Sequence, residues 1–221
     1  MATSTVEDYL KHIYLAQDRS RDGMVSPGRI SQALDVAPGT VTAMMKTLTD
    51  SRLVVYEPYS GVRLTTAGRK LAAHVVRRHR LVELFLVRIM GMDWSEVHQD
   101  AEVLEHAVSN RLLERIDEML GHPSADPHGD PIPTASGALP KAKLKSLLSS
   151  PLEVRLCVAR VTDQRSQFLQ LLERHRLKPG KCLTVTERDE LAETVTIRPE
   201  DGDPLQLGFQ AAGRVLVEEP W

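Results

Sequence analysis

Cysteine is nearly missing from this chain of 221 residues, which carries only Cys157 and Cys182. Neither stands in CxxC spacing, so the pair suggests neither a zinc ribbon nor a disulfide framework, and the expectation is a reducing cytoplasm. Long apolar runs are missing too. None approaches the roughly 18 residues of a membrane span, and the N-terminus lacks a signal-peptide pattern. The sequence therefore predicts no membrane segment. A net charge of −2, with 42% hydrophobic and 26% charged residues, suits a soluble chain with a packed core, as one large domain or two to three small ones.

The small net charge hides an asymmetry. Residues 1–80 hold 12 Lys/Arg against 7 Asp/Glu, residues 81–135 hold 3 against 11, and residues 136–221 hold 13 against 12. A basic head beside an acidic middle points to an anionic partner at one end and a cationic ligand in the middle.

The acidic middle lacks something more specific. In HQDAEVLEH, residues 98–106, His98, Glu102, Glu105 and His106 fall at intervals of four, three and one, which places them on one face of a helix. A solvated face would mix in Lys or Arg to balance the acids. This one has none. Acids and imidazoles without a cation repel or shift one another's protonation unless a metal ion joins them. His79 and Glu83 form an i,i+4 pair on the preceding helix, and Asp8 is a further candidate, giving seven oxygen or imidazole ligands with no thiolate. Such a set suits hard Mn²⁺, while imidazole also admits Fe²⁺, Co²⁺ and Zn²⁺. Taken singly, Asp8 reads first as a first-turn acid favoured by the helix dipole, His98 as a packed or solvated histidine, and His79 as either a ligand or a surface residue of a basic stretch.

The basic head reads as helix, helix, turn, helix, hairpin. TVEDYLKHIYLAQD, residues 5–18, sets Val6, Tyr9, Leu10, Ile13 and Tyr14 on one stripe, with Ser4 and Glu7 as a capping box. Ser26-Pro27 opens a second helix as N-cap and first-turn proline. After Ala37-Pro38-Gly39, a third helix runs from Thr40 to Asp50, and VVYEP and VRLT form two strands around the turn Tyr59-Ser60-Gly61. That order predicts a winged helix-turn-helix whose third helix enters the DNA major groove. Thr40, Thr42, Ala43 and Lys46 face outward if Val41, Met44 or Met45, and Leu48 pack inward. Ala and Thr methyls suit thymine methyl groups, and Lys46 suits a phosphate. The expected DNA surface comprises Ser26, Pro27, Ala37, Pro38, Gly39, Thr40, Thr42, Ala43, Lys46 and, on the wing, Arg63.

Two long helices should follow, residues 66–90 and 95–120, broken at Gly91-Met92-Asp93. Their apolar faces, Val75/Val82/Phe85/Ile89 and Val97/Leu104/Val108/Leu112, predict a helical dimerisation unit. HPSADPHGDPIPTASGALP, residues 122–140, reads as a linker. Beyond it, four strand-like stretches and one helix over about residues 164–174 predict a small β-barrel. The fold class is mainly α with a small β domain, divided as 1–72, 73–140 and 141–221.

Enzymatic readings lack parts. EVLEH is not HxxEH, because Glu102 stands where a zinc protease needs its first histidine. A di-iron carboxylate bundle would need a second ExxH, and His79-x-x-x-Glu83 does not supply one. No nucleophile or further acid/base constellation is visible, so the expectation is a regulator and not an enzyme. The alternatives are a metal-independent winged-helix regulator sensing a small molecule, and a carboxylate-rich metalloenzyme.

EDYLKHIY, APGTVTAMMKTL, RRHRLVELFL, HQDAEVLEH and PHGDPIP together resemble the diphtheria toxin repressor family of metal-dependent transcription regulators, and more narrowly its manganese transport regulator branch. The resemblance spans about residues 4–135 and is looser beyond. It implies a cytoplasmic homodimer that binds a palindromic operator when metal-loaded and represses metal-uptake genes, with an SH3-like C-terminal domain. Carried over by position, Asp8, Glu102, Glu105 and His106 form the primary site, and His79, Glu83 and His98 the ancillary one. Gln164 and Gln167 match the positions from which the SH3-like domain donates ligands. Iron-responsive members carry methionine at the position of Asp8 and cysteine at that of Glu102. The carboxylates here imply Mn²⁺, with Fe²⁺ as the alternative and Zn²⁺, Co²⁺ or Cd²⁺ as substitutes in vitro. At Lys11 the chain departs from the short manganese regulators, which have glutamate there, so the second site is expected to follow the iron-regulator layout.

Overall fold

Capping side chains start four of the helices. The computed structural model describes residues 3–17, 20, 23–58, 60–134, 136–140 and 142–220. Helix α1 (Ser4–Gln17) starts after Thr3, whose hydroxyl and carbonyl take the N–H groups of Val6 and Glu7. The cap is therefore Thr3, one residue before the expected Ser4. Ser26 caps α2 (Pro27–Leu34) by accepting from the Arg29 N–H, with Pro27 supplying its fixed φ at the first position. Pro38 opens α3 (Pro38–Asp50) in the same way, after an Ala37 with no capping side chain.

Strands β1 (Val54–Glu57) and β2 (Gly61–Leu64) pair antiparallel from Val54↔Leu64 to Glu57↔Gly61. Val25 adds a bridge to Val62, exchanging both backbone hydrogen bonds at 2.9 Å. Of the expected turn, Tyr59 lies outside the described residues. Gly61 has φ +131°, and a Cβ there would stand 2.7 Å from the Val25 carbonyl, so the close approach of this third strand requires glycine.

The chain divides into two compact units: Met1–His79 with Glu105–Val108 and Pro133–Leu139, and Arg80–Leu104 with Ser109–Ile132 and Pro140–Trp221. The first has a core of Tyr9, Leu10, Ile13 and Tyr14 against Ile30, Val41, Met45, Leu48, Val54, Val62 and Val76. The apolar stripe foreseen on α1 is the buried one, Val6 being partly covered.

Helix α4 (Thr66–Arg88) begins at Thr65, whose hydroxyl accepts from the Gly68 N–H. The expected long helix over residues 95–120 is instead two: α5 (His98–Leu104) and α6 (Asn110–Met119), the second capped by Ser109. Ser109 satisfies the Leu112 N–H and so starts a new helix where apolar periodicity alone runs on. Residues 122–140 are also more than a linker. Asp126, His128, Asp130 and Ile132 are buried, and the Asp126 carboxylate accepts the N–H groups of His128 and Asp130.

The rest of the second unit is an antiparallel six-stranded sheet in the order β3-β8-β4-β5-β6-β7. It comprises β3 (Lys145–Ser146), β4 (Arg155–Val161), β5 (Cys182–Asp189), β6 (Thr194–Pro199), β7 (Leu205–Gly208) and β8 (Val215–Glu218). Helices α7 (Ser166–Arg174) and α8 (Phe209–Ala212) accompany it. Alternate residues Leu156, Val158, Leu183, Val185, Val195 and Ile197 turn inward onto Leu169 and Leu172 of α7. This is the small SH3-like β domain. Among the described residues no pairing joins β3 to β7, so the sheet is not a closed barrel.

One expectation is overturned here. Cys157 and Cys182 face each other in register on β4 and β5 and are joined as a disulfide. Their 25-residue separation carries no local signal, because the intervening chain makes α7 before returning as β5. Cysteine spacing thus gives no reading of the redox compartment.

Candidate metal centres

Within the first unit, α1 and the turn after α5 bring two acids and a histidine together. Asp8, Glu105 and His106 offer ligand atoms within 4.8 Å of one another. His106 Nε2 lies 2.9 Å from Asp8 Oδ1 and 3.5 Å from Glu105 Oε1, while its Nδ1 lies 2.9 Å from Glu7 Oε2. Glu105 is completely buried. The Lys11 ammonium donates to its Oε1 at 2.7 Å, and His79 Nδ1 lies 2.5 Å from its Oε2. The absence of a cation, which made residues 98–106 conspicuous, is thus a property of the segment and not of the folded site. Lys11 arrives from 94 positions away, a distance that helical spacing cannot see.

A second cluster lies wholly in the second unit and involves two residues that the sequence reading passed over. Glu83 on α4 meets Asp126 and His128 from the 124–132 loop, and all three side chains are about 1% exposed. His128 Nε2 points at the Trp94 carbonyl, 2.9 Å away, which makes Nε2 the protonated nitrogen and leaves a lone pair on Nδ1. That Nδ1 is buried without a hydrogen-bond partner, 3.8 Å from Glu83 Oε2 and 3.9 Å from Asp126 Oδ1. An orphaned imidazole lone pair facing two carboxylates is what a divalent cation would satisfy. The available signal was ADPHGDP, three potential ligands in five residues. Its proline and glycine content read as linker.

Burial, then the neighbouring Asp130 and Glu83 charges, push the Asp126 carboxyl well above the usual carboxylate range, against the lowering effect of Arg80. Folding therefore disfavours the charged form of Asp126 relative to the unfolded chain. The group's contribution to stability is complete below the unfolded-state value and is lost as pH rises through the raised one. Metal-free protein should lose stability over that window, and Asp126→Asn should flatten the dependence. Chemical denaturation with chelator at a series of pH values measures it; parallel slopes for the two proteins would contradict the assignment.

The other expected ligands are placed as follows. His98 Nδ1 pairs with Glu83 Oε1 at 3.0 Å, and its Nε2 lies 3.4 Å from Glu102 on the next turn of α5. Glu83 thus presents one oxygen towards His98 and the other towards His128. His79 stands one helical turn before Glu83 on α4. The Gln164 amide donates to Asp130 at 2.8 Å, and Gln167 is exposed on α7. In the head, Thr40, Thr42, Ala43 and Lys46 line the exposed face of α3 over buried Val41, Met45 and Leu48. Ser26, Ala37, Pro38, Gly39 and Arg63 are exposed as well, and Pro27 is half-buried.

A winged helix-turn-helix, helices carrying carboxylate–imidazole clusters and an SH3-like sheet are the parts of a metal-responsive DNA-binding regulator. Residues 1–62 match the N-terminal DNA-binding domain of iron-dependent repressors, residues 65–134 their metal-binding and dimerisation domain, and residues 145–219 the FeoA domain. A manganese-dependent transcriptional repressor solved in complex with manganese is 39% identical, with a TM-score of 0.89 over 97% of this chain and 100% of its own. The manganese regulator SloR is 34% identical (TM-score 0.74, 97% of this chain, 98% of that one). ScaR with bound Cd²⁺ is 35% identical (TM-score 0.78, 97% and 99%). The chain belongs to this family of metal-dependent transcriptional repressors.

Proposed function

We propose that the chain is a manganese-dependent transcriptional repressor, with Fe²⁺ as the alternative corepressor, acting in the cytoplasm as a homodimer on a palindromic operator that controls metal uptake. The observation that carries this reading is the convergence of Asp8, on the first helix of the DNA-binding head, with Glu105 and His106 from the turn after α5. The donor set is all carboxylate and imidazole, which fits a hard or borderline divalent ion. Glu102 completes the set by its position in the family pattern. Glu83, Asp126 and His128 form the second site, with His98 beside Glu83 and His79 a candidate by its position in the family pattern.

A bound divalent ion supplies the positive charge that lets these carboxylates share one space. Asp8 then holds α1 to the 105–106 turn, and α1 packs on the core that carries α2 and α3. This tie adds to contacts made by protein groups alone, Lys11 to Glu105 and Arg78 through Glu7 to His106. Metal binding at Asp8, Glu105 and His106 therefore acts together with these protein contacts in holding α1 to the 105–106 turn. A coupling of about 1–3 kcal/mol suffices for such a switch.

At the DNA, Pro38 and Gly39 present the uncapped start of α3 to a phosphate, Thr40, Thr42 and Ala43 reach base edges, and Lys46 and Arg63 add backbone contacts. Exposed Val103, Leu112 and Met119 on and beside α5 and α6 support the dimer face. Two copies then set their α3 helices about 34 Å apart, one DNA turn.

A gel shift on pooled genomic fragments tests the reading, in chelator and then with Mn²⁺, Fe²⁺ or Zn²⁺ at fixed salt. Retention of a few fragments only with metal, and best with Mn²⁺, is expected. Equal retention in chelator would favour the metal-independent regulator.

A further inference from the structure

Two acids stand side by side on α1, and only the second belongs to the ligand cluster. Glu7 has both carboxylate oxygens committed to the protein. Its Oε1 accepts from Arg78 Nη2 on α4 at 2.7 Å, and its Oε2 lies 2.9 Å from His106 Nδ1. The three side chains are only 13–20% exposed, so solvent competes weakly for these bonds.

We propose that Glu7 is the positioning residue of the first metal centre: clamped by Arg78, it accepts the Nδ1–H hydrogen bond of His106 and so presents Nε2 to the metal. This rests on the reading of Asp8, Glu105 and His106 as ligands. An imidazole has one protonated and one lone-pair nitrogen, and its partners decide which is which. With Nδ1–H donated to Glu7, the lone pair is on Nε2, the atom 2.9 Å from Asp8 and 3.5 Å from Glu105. Both ring nitrogens lie 2.9 Å from a carboxylate oxygen, so it is a metal taking the Nε2 lone pair that leaves the proton on Nδ1 for Glu7. The reverse tautomer would aim a proton at the metal position. A histidine ligand whose other nitrogen donates to a carboxylate is a recurrent arrangement, and loss of that partner costs about 10–100-fold in metal affinity. His128 obtains the same fixing from a backbone carbonyl, that of Trp94, so the two centres orient their histidines by different means and can be perturbed separately.

The test compares Glu7→Leu, Glu7→Gln and Asp8→Asn in the full-length protein. Mn²⁺ affinity is measured by electron paramagnetic resonance of the free ion, and ¹⁵N shifts of the His106 ring are recorded with Zn²⁺ bound. Glu7→Leu should lose about 10–100-fold at the first centre. Glu7→Gln, whose amide oxygen still accepts the Nδ1 proton, should stay within a few-fold of the parent. The His106 shifts should report a protonated Nδ1 in the parent and in Glu7→Gln, and a mixed tautomer in Glu7→Leu. Equal affinity and equal shifts in the Leu and Gln variants would overturn the proposal. An unaltered affinity in Asp8→Asn would instead remove the metal reading on which it stands.

Discussion

Glu105→Ala is expected to abolish metal-dependent DNA binding and to destabilise the metal-free protein by about 3 kcal/mol or more. The first effect follows from deleting a ligand from the first centre. The second follows from Lys11, which is 3% exposed and donates to Glu105 at 2.7 Å. Removing the carboxylate keeps the ammonium's desolvation cost and takes away a counter-charge 2.7 Å from it, which is why breaking a buried pair is expensive. Replacing both partners should separate the effects. Lys11→Met with Glu105→Leu puts apolar groups where the pair was and should regain most of the stability while remaining unresponsive to metal. Urea denaturation in chelator, together with DNA binding in Mn²⁺, reads both. A single variant as stable as the parent would show that Lys11 and Glu105 do not form the tie described here.

Gly129→Ala is expected to cost about 3 kcal/mol and to remove the second centre while sparing the first. Gly129 has φ +83°, and a Cβ built there would stand 1.9 Å from the Ala159 carbonyl oxygen and 2.7 Å from Arg160 Cα. Both obstacles are backbone of β4, so no side-chain rotation relieves them. The adjacent His128 carbonyl accepts the Val161 N–H at 2.8 Å, which holds the loop to that strand. Forcing the two apart moves His128 and Asp126 together away from Glu83. Thermal unfolding and Mn²⁺ stoichiometry should therefore change in step, with the stoichiometry falling by one ion per chain. Gly28→Ala is the control, since a Cβ there meets nothing within 4 Å and helix entropy favours alanine. Normal stoichiometry in Gly129→Ala would contradict the dependence of the second centre on this loop.

Much of the head was legible because its signals are local. Ser26-Pro27 starts a helix by satisfying or removing N-terminal N–H groups; Pro38, expected in a break before Thr40, instead opens α3 two residues earlier. The stripe Tyr9, Leu10, Ile13 and Tyr14 becomes core by its spacing alone. Glu105 and His106 were legible as ligand candidates for the same reason, although they lie on a turn and not on the helix expected of them. What stayed hidden depends on distance in sequence. Lys11 reaches Glu105 only through the packing of α1, and Cys157 meets Cys182 only through strand register. Asp126 and His128 were obscured by composition: a Pro/Gly-rich stretch reads as linker, yet Asp126 satisfies two backbone N–H groups with its own carboxylate and so makes that stretch an ordered, buried loop. The short strands β3 and β7 and the four-residue α8 offered too little periodicity to be seen.

The central claim is that divalent metal raises the affinity of this chain for its operator, and one measurement meets it directly. A retained genomic fragment, labelled and titrated with the protein by fluorescence anisotropy at one fixed salt concentration, gives the affinity in chelator and in Mn²⁺. The account predicts an affinity about 5–150-fold higher with Mn²⁺, the range of a coupling of about 1–3 kcal/mol, and the loss of that difference in Asp8→Asn. The same affinity with and without Mn²⁺ in the parent protein would contradict it.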